Sequence, residues 1–303
     1  MLKLKDPSLF RQQCHLNGEW VDARSGATIT VRNPADGSVI GTVPKMGVEE
    51  TRAAIEAAEA AWPAWRAKLA RERAAILRRW YDLILENQED LAVLMTTEQG
   101  KPITEARGEV SYGASFIEWF AEEAKRAYGD VIPQHQADKR IVVIKQAIGV
   151  CAAITPWNFP NAMITRKAGP AFAAGCPMVL KPASQTPLIA AHAVGVLHEA
   201  GVPGDVLHFL PGRGDVVGRI LINDPRIAGV AFTGSTATAR VINQTLAARS
   251  GPIVPLIAET GGQNAMIADS SALVEQLVTD IMQSAFNSAG QRCSALRVLF
   301  VQD

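Results

Sequence analysis

The chain has 303 residues, of which 48% are hydrophobic and 20% are charged, a composition typical of globular proteins. This length is sufficient for two domains and a large core. Lysine and arginine together number 30, as do aspartate and glutamate. The balance argues against a nucleic acid or an acidic membrane surface as the main partner.

The first residues and the cysteines bear on the cellular location. Residues 1–15 include Lys3, Lys5, Asp6 and Arg11 without an apolar core, so we expect no secretory signal. No apolar stretch approaches the roughly 18 residues that span a bilayer. The cysteines form no CxxC pair, which argues against a disulfide framework or a metal site. We therefore expect a cytoplasmic protein whose cysteines are core residues or nucleophiles.

The first half of the chain predicts short strands followed by helices. Residues 15–44 combine alternating apolar residues with glycine turns, as short strands do. Residues 48–128 carry apolar stripes at helical spacing, and we expect Pro63 and Pro102 to break these helices. Arg140–Lys145 is an apolar run bounded by charges, which predicts one strand of an exposed hairpin.

From residue 148 onward strands and helices alternate, which predicts an α/β fold with a doubly wound parallel sheet. Ligands of such sheets bind at the carboxyl ends of the strands, so chemistry is sought in the turns that follow them. The predicted strands are Gly149–Ile154, Met178–Lys181, Val206–Leu210, Ile227–Phe232 and Val254–Ala258. The predicted helices are Asn161–Ala174, Leu188–Ala200, Gly214–Leu221, Ala237–Ala248 and Ser271–Ser288.

The turn after the first of these strands places Asn158 between two aromatic residues, with prolines at both ends. An amide held rigidly there can donate a hydrogen bond to a developing oxyanion. An asparagine is also a good N-cap for the helix that follows. The sequence leaves both interpretations open.

Two further turns carry residues suited to a nucleotide. Lys181 ends the second strand, where its ammonium can reach a ribose hydroxyl or a phosphate, or simply be solvated. Gly234 and Ser235 open a helix, an arrangement that binds phosphate but also serves as an ordinary turn and N-cap. The segment 211–218 departs from the G-x-G-x-x-G fingerprint because position 217 is valine, and it predicts a loop.

A carboxylate and a thiol are the candidate reacting groups. Glu259 ends an apolar strand, where partial desolvation would raise its pKa and suit it to act as a base; the alternative is a solvated edge charge. Cys293 lies among polar neighbours after a helix that Gly290 can cap. We expect Arg292 to lower the pKa of this thiol.

The remaining cysteines and the histidines are given no role in the chemistry. Cys151 lies in an apolar strand and Cys176 in a turn of small residues, and both are interpreted as structural, with Cys14 incidental. The five histidines have no spacing that suggests a triad, and we interpret them as surface or core residues. They are His15, His135, His192, His198 and His208.

Five motifs in order resemble the NAD(P)-dependent aldehyde dehydrogenase superfamily, and the resemblance covers essentially the whole chain. It implies an aldehyde-dehydrogenase-like fold and oxidation of an aldehyde through a cysteine thioester. The motifs are Pro156-Trp157-Asn158-Phe159-Pro160, Lys181-Pro182-Ala183-Ser184, Phe232-Thr233-Gly234-Ser235, Glu259-Thr260-Gly261-Gly262 and Gly290-Gln291-Arg292-Cys293.

The resemblance implies a role for each motif. Cys293 would be the nucleophile, Asn158 and the Cys293 backbone N–H would hold the oxyanion, and Glu259 would activate water to hydrolyse the thioester. NADP or NAD would be the cofactor. Ser184 stands where many NAD-preferring relatives have an acidic residue that repels a 2′-phosphate, which favours NADP. The implied cofactor-binding residues are Thr155, Pro156, Trp157, Lys181, Ser184, Gly234, Ser235 and Thr260.

The subfamily signal is divided along the chain. Residues 1 to about 187 resemble bacterial succinate-semialdehyde dehydrogenase, through segments such as Glu98-Gln99-Gly100-Lys101-Pro102 and Met163-Ile164-Thr165-Arg166-Lys167. The remainder resembles the glutamate-semialdehyde dehydrogenase module of proline-utilisation proteins, through residues 257–266 and 288–297.

Both subfamilies act on a short aldehyde with a distal carboxylate, and we expect that substrate class, succinate semialdehyde being favoured. Arg166 matches one of the arginines that grip the carboxylate in the succinate type, whereas Asn287 stands in place of a second one. Loss of that partner would cost a few kcal/mol. Ser294 matches a residue of the glutamate-semialdehyde type.

The resemblance also implies a domain plan. Residues 1–128 and 147–258 would form the dinucleotide-binding domain, 129–146 an oligomerisation hairpin, and 259–303 the start of a catalytic domain. A full-length relative would be a homo-oligomer, and its chain would continue well past Asp303, so we expect this chain to be truncated. The rival hypotheses are a catalytically silent cofactor-binding fragment and a thiol hydrolase that pairs Cys293 with a histidine.

Overall fold

The computed structural model describes residues 2–302. Within that range no helix is both long enough and apolar enough to cross a membrane. The N-terminal part forms short strands, as predicted, because glycine turns interrupt its apolar alternation. These strands are β1 (Cys14–Leu16), β2 (Glu19–Val21), β3 (Thr28–Arg32) and β4 (Val39–Pro44).

Four helices follow and account for the predicted helical region. Pro102 immediately precedes the last of them, as expected, but Pro63 lies inside the first and does not end it. The ring of Pro63 is exposed, so the carbonyl it frees can bind water, while Ala61 and Trp65 hold the helix in the core. The helices are α1 (Val48–Ala67), α2 (Ala70–Glu86), α3 (Gln88–Gln99) and α4 (Ile103–Glu123).

An exposed hairpin separates these helices from the alternating region. Its strands, β5 (Asp130–Ile132) and β6 (Ile141–Val143), pair antiparallel with each other. Val131 and Val142 are 83% and 67% exposed. The predicted exposed hairpin is therefore confirmed.

Five strands of the alternating region form a parallel sheet with helices on both faces, as predicted. After β9 the chain makes a π-helical turn, Gly214–Gly218, before a short helix, and the sequence did not predict this turn. The strands are β7 (Val150–Ile154), β8 (Met178–Lys181), β9 (Leu207–Phe209), β10 (Ile227–Thr233) and β11 (Leu256–Glu259). The helices are α5 (Ala162–Ala174), α6 (Pro187–Glu199), α7 (Arg219–Asn223) and α8 (Thr236–Ala247).

The strand order places the site. The sheet runs β11-β10-β7-β8-β9-β1-β2, with β1 antiparallel to β9 and β2. The chain winds outward from β7 to β9 and then returns to place β10 on the other side of β7. A crevice opens at such a reversal, beyond the carboxyl ends of the two strands.

Two apolar clusters cover the two faces of this sheet. One is formed with the end of α1 and with α2 to α6, and it contains Trp65, Trp80 and Phe172, whose rings pack edge to face or tilted. The other lies under α1, α7 and α8 and contains Phe232 and Ile242. Burial on both faces explains the almost continuous apolar runs of β7 and β8.

The last segment forms a separate two-stranded unit. Strands β12 (Asn264–Ala268) and β13 (Leu296–Val301) are parallel and joined through α9 (Val274–Phe286). Helix α9 ends two residues earlier than predicted, and residues Asn287–Gly290 form a 3₁₀ turn. Ser288 and Ala289 in this turn have φ values of 54° and 52°, outside the helical region.

Candidate active site

The turns after β7, β10 and β11 surround a cleft of about 460 Å³, and the loop before β13 reaches it from the separate unit. Asn158, Arg166, Glu259 and Cys293 all line this cleft. The cleft lies where the strand order reverses, as expected for a ligand site of an α/β sheet.

Asn158 is directed toward the cysteine loop. Its side-chain amide donates a 2.7 Å hydrogen bond to the backbone carbonyl of Gln291. It does not cap helix α5, whose N-cap position is Asn161. The N-cap interpretation is therefore wrong. A carboxamide has two N–H donors, so one remains available to a ligand.

The backbone around Cys293 is held on both sides. The Asn264 amide donates to the Cys293 carbonyl at 2.6 Å, and the Arg297 guanidinium donates to the Gly290 carbonyl at 2.8 Å. Gly290 has a φ of 67° and follows the left-handed Ser288 and Ala289. A left-handed conformation costs about 1–2 kcal/mol for each non-glycine residue. The Cys293 residue itself is exposed.

The Arg292 side chain is bound to the end of helix α9, and its effect on the Cys293 thiol stays a prediction. Its guanidinium donates to the carbonyls of Gln283 and Ser284, at 2.7 and 2.6 Å. These carbonyls belong to the last turn of α9, where a cation is favoured. The Arg292 guanidinium therefore binds the C-terminal end of α9.

Glu259 is the last residue of β11 and is exposed, which contradicts the expected partial desolvation. Strand β11 is the edge of the sheet and has β10 as its one neighbour, so its end is open to solvent. The backbone carbonyl of Glu259 accepts a hydrogen bond from the Gly234 N–H at 3.1 Å. Gly234 itself packs closely, since a Cβ there would lie 2.6 Å from the Phe232 ring.

Two basic residues of α5 lie near this carboxylate. Arg166 lines the cleft and stacks on the Phe116 ring at 4.9 Å. Lys167 was not singled out from the sequence, yet it is buried and donates to Thr233 Oγ1 at 2.5 Å. Burial, with the adjacent Arg166, lowers the pKa of Lys167 to about 8. The burial of Lys167 against the end of β10 could not be predicted from local spacing.

Lys181 lies in a second cleft of about 770 Å³ together with Gly214 and Gly218 of the π turn and Thr238 of α8. The residue is 6% exposed, which contradicts a solvated strand end. Its ammonium donates to the Pro182 carbonyl at 2.8 Å and forms no ion pair within residues 2–302. Burial lowers the pKa of Lys181 to about 8. A buried cation with one neutral partner suits an anionic ligand.

The segment 211–218 is thus part of this second cleft rather than a loop without a role. Ser184 is exposed and does not line this cleft; its hydroxyl donates to the Gly212 carbonyl at 3.4 Å. Ser235 is the N-cap of α8, and its oxygen accepts the Thr238 N–H at 3.2 Å. The N-cap interpretation of Ser235 is therefore confirmed, and the positive end of the helix still faces the cleft that Ser235 lines.

Some of the remaining residues predicted to bind substrate or cofactor line the first cleft, and others lie outside it. Ser294 is exposed and does not line it. The first cleft is also lined by Gln291 and Arg297, which sequence reasoning passed over. The predicted cofactor residues that line it are Thr155, Pro156, Trp157, Gly234, Ser235 and Thr260.

The histidines and the other cysteines lie elsewhere. His15, His192 and His208 are buried in the core, and no histidine of the described range lines the cleft at Cys293, which contradicts a cysteine–histidine hydrolase. Cys14 is buried in β1 and its thiol donates to the Phe209 carbonyl, so it is a core residue. Among residues 2–302 no group of three or more metal-binding side chains is found.

Comparison with known proteins gives the family. The model of the aldehyde dehydrogenase family matches residues 20–303. The chain belongs to the aldehyde dehydrogenase family. The resemblance drawn from the motifs is confirmed, and so is the aldehyde-dehydrogenase-like fold.

Semialdehyde dehydrogenases of this family are similar over the whole chain. Glutarate-semialdehyde dehydrogenase of Pseudomonas putida is 56% identical, and the NADP(+) succinate-semialdehyde dehydrogenase of Escherichia coli is 55% identical, each over 302 residues and 100% of this chain. A crystal structure of an NADP-dependent enzyme of E. coli superimposes with a TM-score of 0.97 at 55% identity over 99% of the chain. In all three comparisons this chain spans 62% of the relative's length.

Proposed function

We propose that the protein containing this chain oxidises a short aldehyde with a distal carboxylate to the corresponding acid, with NADP or NAD as the acceptor. Succinate semialdehyde is the favoured substrate. The observation that carries the proposal is the convergence of Cys293, Asn158 and Glu259 on one cleft at the reversal of strand order.

Each of these three side chains has a distinct task. The Cys293 sulfur attacks the aldehyde carbon, and a tetrahedral thiohemiacetal forms. The N–H of Asn158 that is not bonded to Gln291 donates to the oxyanion, together with the Cys293 backbone N–H. After the carbon is oxidised, Glu259 takes a proton from water, which attacks the thioester and frees both the acid and the thiolate.

The residues around both clefts fit a dinucleotide. When bound, this cofactor accepts the hydride that leaves the substrate carbon. Lys181 would contribute its buried charge, and Ser235 the positive end of α8. Ser184 carries no negative charge, which supports use of NADP, as do the NADP-dependent relatives. Thr155, Pro156, Trp157, Gly234 and Thr260 would complete the contact.

Arg166 supports the substrate class. It lines the cleft and forms no ion pair with a carboxylate of the described chain, so it is free to pair with an acidic substrate. The names of the relatives point to succinate and glutarate semialdehydes. Glutamate semialdehyde is less supported, because Ser294 lies outside the cleft.

Further proposals concern the oligomeric state, the cellular location and the domain organisation of the protein. The exposed apolar residues of the β5–β6 hairpin support a homo-oligomer, in which they would be covered. A cytoplasmic location and the division into dinucleotide-binding domain, hairpin and catalytic domain stay predictions.

The test is reduction of NADP and of NAD by the intact protein with succinate, glutarate and glutamate semialdehydes in parallel. Turnover should be highest with the first two, and Cys293→Ala should abolish it while leaving dinucleotide binding intact. Binding of the dinucleotide without turnover of any of the three aldehydes would instead establish the silent cofactor-binding protein.

A further inference from the structure

Helix α4 contacts both loops that meet at the cleft. Near its start, Glu105 accepts two hydrogen bonds from Ser288, from the backbone N–H at 2.8 Å and from the hydroxyl at 2.9 Å. The two residues are 183 positions apart in the chain. Glu105 is therefore a direct link between α4 and the turn that precedes Cys293.

One turn further along, the same helix holds the Asn158 loop. Glu109 accepts the backbone N–H groups of Asn161 and Ala162 at 3.0 and 3.2 Å, and it pairs with Lys101 at 2.5 Å. The Lys101 ammonium in turn donates to the Asn158 carbonyl at 2.8 Å. Glu109 and Lys101 are each 3% exposed, so their ion pair is made without competing water.

Glu105 contacts the chain at Ser288, a residue with an unfavourable backbone conformation. Ser288 has a φ of 54° and a ψ of 34°, a left-handed conformation that an L-residue seldom adopts without compensation. A carboxylate that accepts both the backbone N–H and the hydroxyl fixes this conformation. Cys293 lies five residues beyond Ser288, so the position of the sulfur depends on how this turn is held.

We propose that Glu105 is a positioning residue: by holding Ser288 in its left-handed conformation it sets the position of Cys293 relative to Asn158. The proposal rests on the function proposed above for these two residues. Helix α4 is then the common support of nucleophile and oxyanion donor, because Glu109 and Glu105 hold one loop each.

The first test compares Glu105→Ala with Glu118→Ala in the intact protein. Glu118 lies on the same helix and forms an exposed ion pair with Arg78, so its removal is a matched surface change. We expect Glu105→Ala to lower kcat by about 10- to 100-fold, the cost of a misplaced reacting group. KM for NADP and the thermal midpoint should stay close to those of Glu118→Ala. Glu105→Gln, which keeps one acceptor, should recover part of the rate.

A second substitution, Ser288→Gly, distinguishes a positioning role of Glu105 from a general effect on stability. Glycine adopts the left-handed conformation without steric cost, so Ser288→Gly should restore part of the kcat lost in Glu105→Ala. No recovery in the double variant would overturn the proposal. So would a kcat for Glu105→Ala within about twofold of the Glu118→Ala control, a difference too small for a misplaced nucleophile.

The reactivity of the Cys293 thiol can be measured without catalytic turnover, so it tests the role of Glu105 independently of the proposed function. The rate of alkylation of Cys293 by iodoacetamide should differ between Glu105→Ala and wild type, and should return toward wild type when Ser288→Gly is added. Absence of wild-type turnover contradicts the proposed function, whereas identical alkylation rates in wild type and Glu105→Ala contradict the positioning role.

Discussion

The side-chain amide of Asn158 donates a 2.7 Å hydrogen bond to the Gln291 carbonyl, although the two residues are 133 positions apart in the chain. This bond ties the turn after β7 to the loop that carries Cys293. It places an amide donor in the same cleft as the Cys293 thiol, at the switch point of the sheet, and an oxyanion site needs such a donor.

Replacing Asn158 with alanine should lower kcat by about 10²- to 10³-fold, because the oxyanion loses a fixed donor. Asn158→Asp keeps the shape of the side chain but not the N–H donors, and it should be at least as damaging. Steady-state rates with succinate semialdehyde measure both effects. Dinucleotide affinity should be unchanged, and a rate within about threefold of wild type for either variant would refute the assignment.

Glu259→Gln should separate the two halves of the reaction. The first turnover should persist as a burst of reduced dinucleotide, whereas the steady-state rate should fall by about 10²- to 10⁴-fold because water is no longer activated. Stopped-flow absorbance with succinate semialdehyde resolves the two phases. Glu275→Gln, an exposed carboxylate of α9, is the matched control and should leave both phases intact. Loss of the burst in Glu259→Gln would assign this carboxylate to an earlier step.

Arg166→Leu should discriminate between aldehydes. Loss of a charged hydrogen bond worth about 1.5–3 kcal/mol should reduce kcat/KM for succinate semialdehyde by roughly 10- to 150-fold. Butanal has the same chain length without the carboxylate, and its kcat/KM should be unaffected. An equal loss for both aldehydes would mean that Arg166 supports the fold of the cleft rather than the substrate.

The cofactor preference should respond to a single charge. Ser184→Glu should reduce affinity for NADP more than affinity for NAD, since a carboxylate repels the 2′-phosphate and can bond the ribose hydroxyl. Lys181→Met should weaken both cofactors by removing a buried positive charge. Dissociation constants for each dinucleotide measure both effects, and unchanged selectivity in Ser184→Glu would exclude that residue from the ribose site.

The protein should lose stability in mild acid because several histidines are buried in the neutral form. Desolvation lowers the pKa of His15 to about 3, and that of His192 and His208 to about 4. Their folded pKa values lie below the unfolded value of about 6.5. The stability they contribute is thus complete above about pH 6.5 and is lost as pH falls toward about 4 for His192 and His208 and toward about 3 for His15, by up to about 1.4 kcal/mol per pH unit for each group.

His192 is the clearest member of this set to change. Neither of its ring nitrogens has a hydrogen-bond partner within the part of the chain that the structure describes. His192→Leu should therefore preserve or raise the free energy of unfolding at neutral pH and flatten its decline in acid. Urea unfolding across pH 4 to 7 measures both quantities. His135→Leu, on the exposed hairpin, is the control, and an equal flattening there would refute the explanation.

The sequence by itself determined most of the strands and helices and the principal reacting residues of the first cleft. The spacing of apolar residues and the positions of turn residues predicted the strands and helices of the alternating region to within a few positions. This was possible because a strand that is buried on both faces of a sheet is a run of consecutive apolar residues. Asn158 and Glu259 stood out because they follow or end predicted strands, and Cys293 because its neighbours are polar, unlike those of a core cysteine; all three line the cleft.

Only the tertiary structure decided what those residues contact. The neighbours of Arg292, the exposure of Glu259 and the place of Ser294 outside the cleft depend on which strand lies at the sheet edge and how the last unit docks. The bond between Glu105 and Ser288 joins residues 183 positions apart. Local periodicity carries no information on such pairs, because they form only when the strand order brings distant turns to the same edge of the sheet.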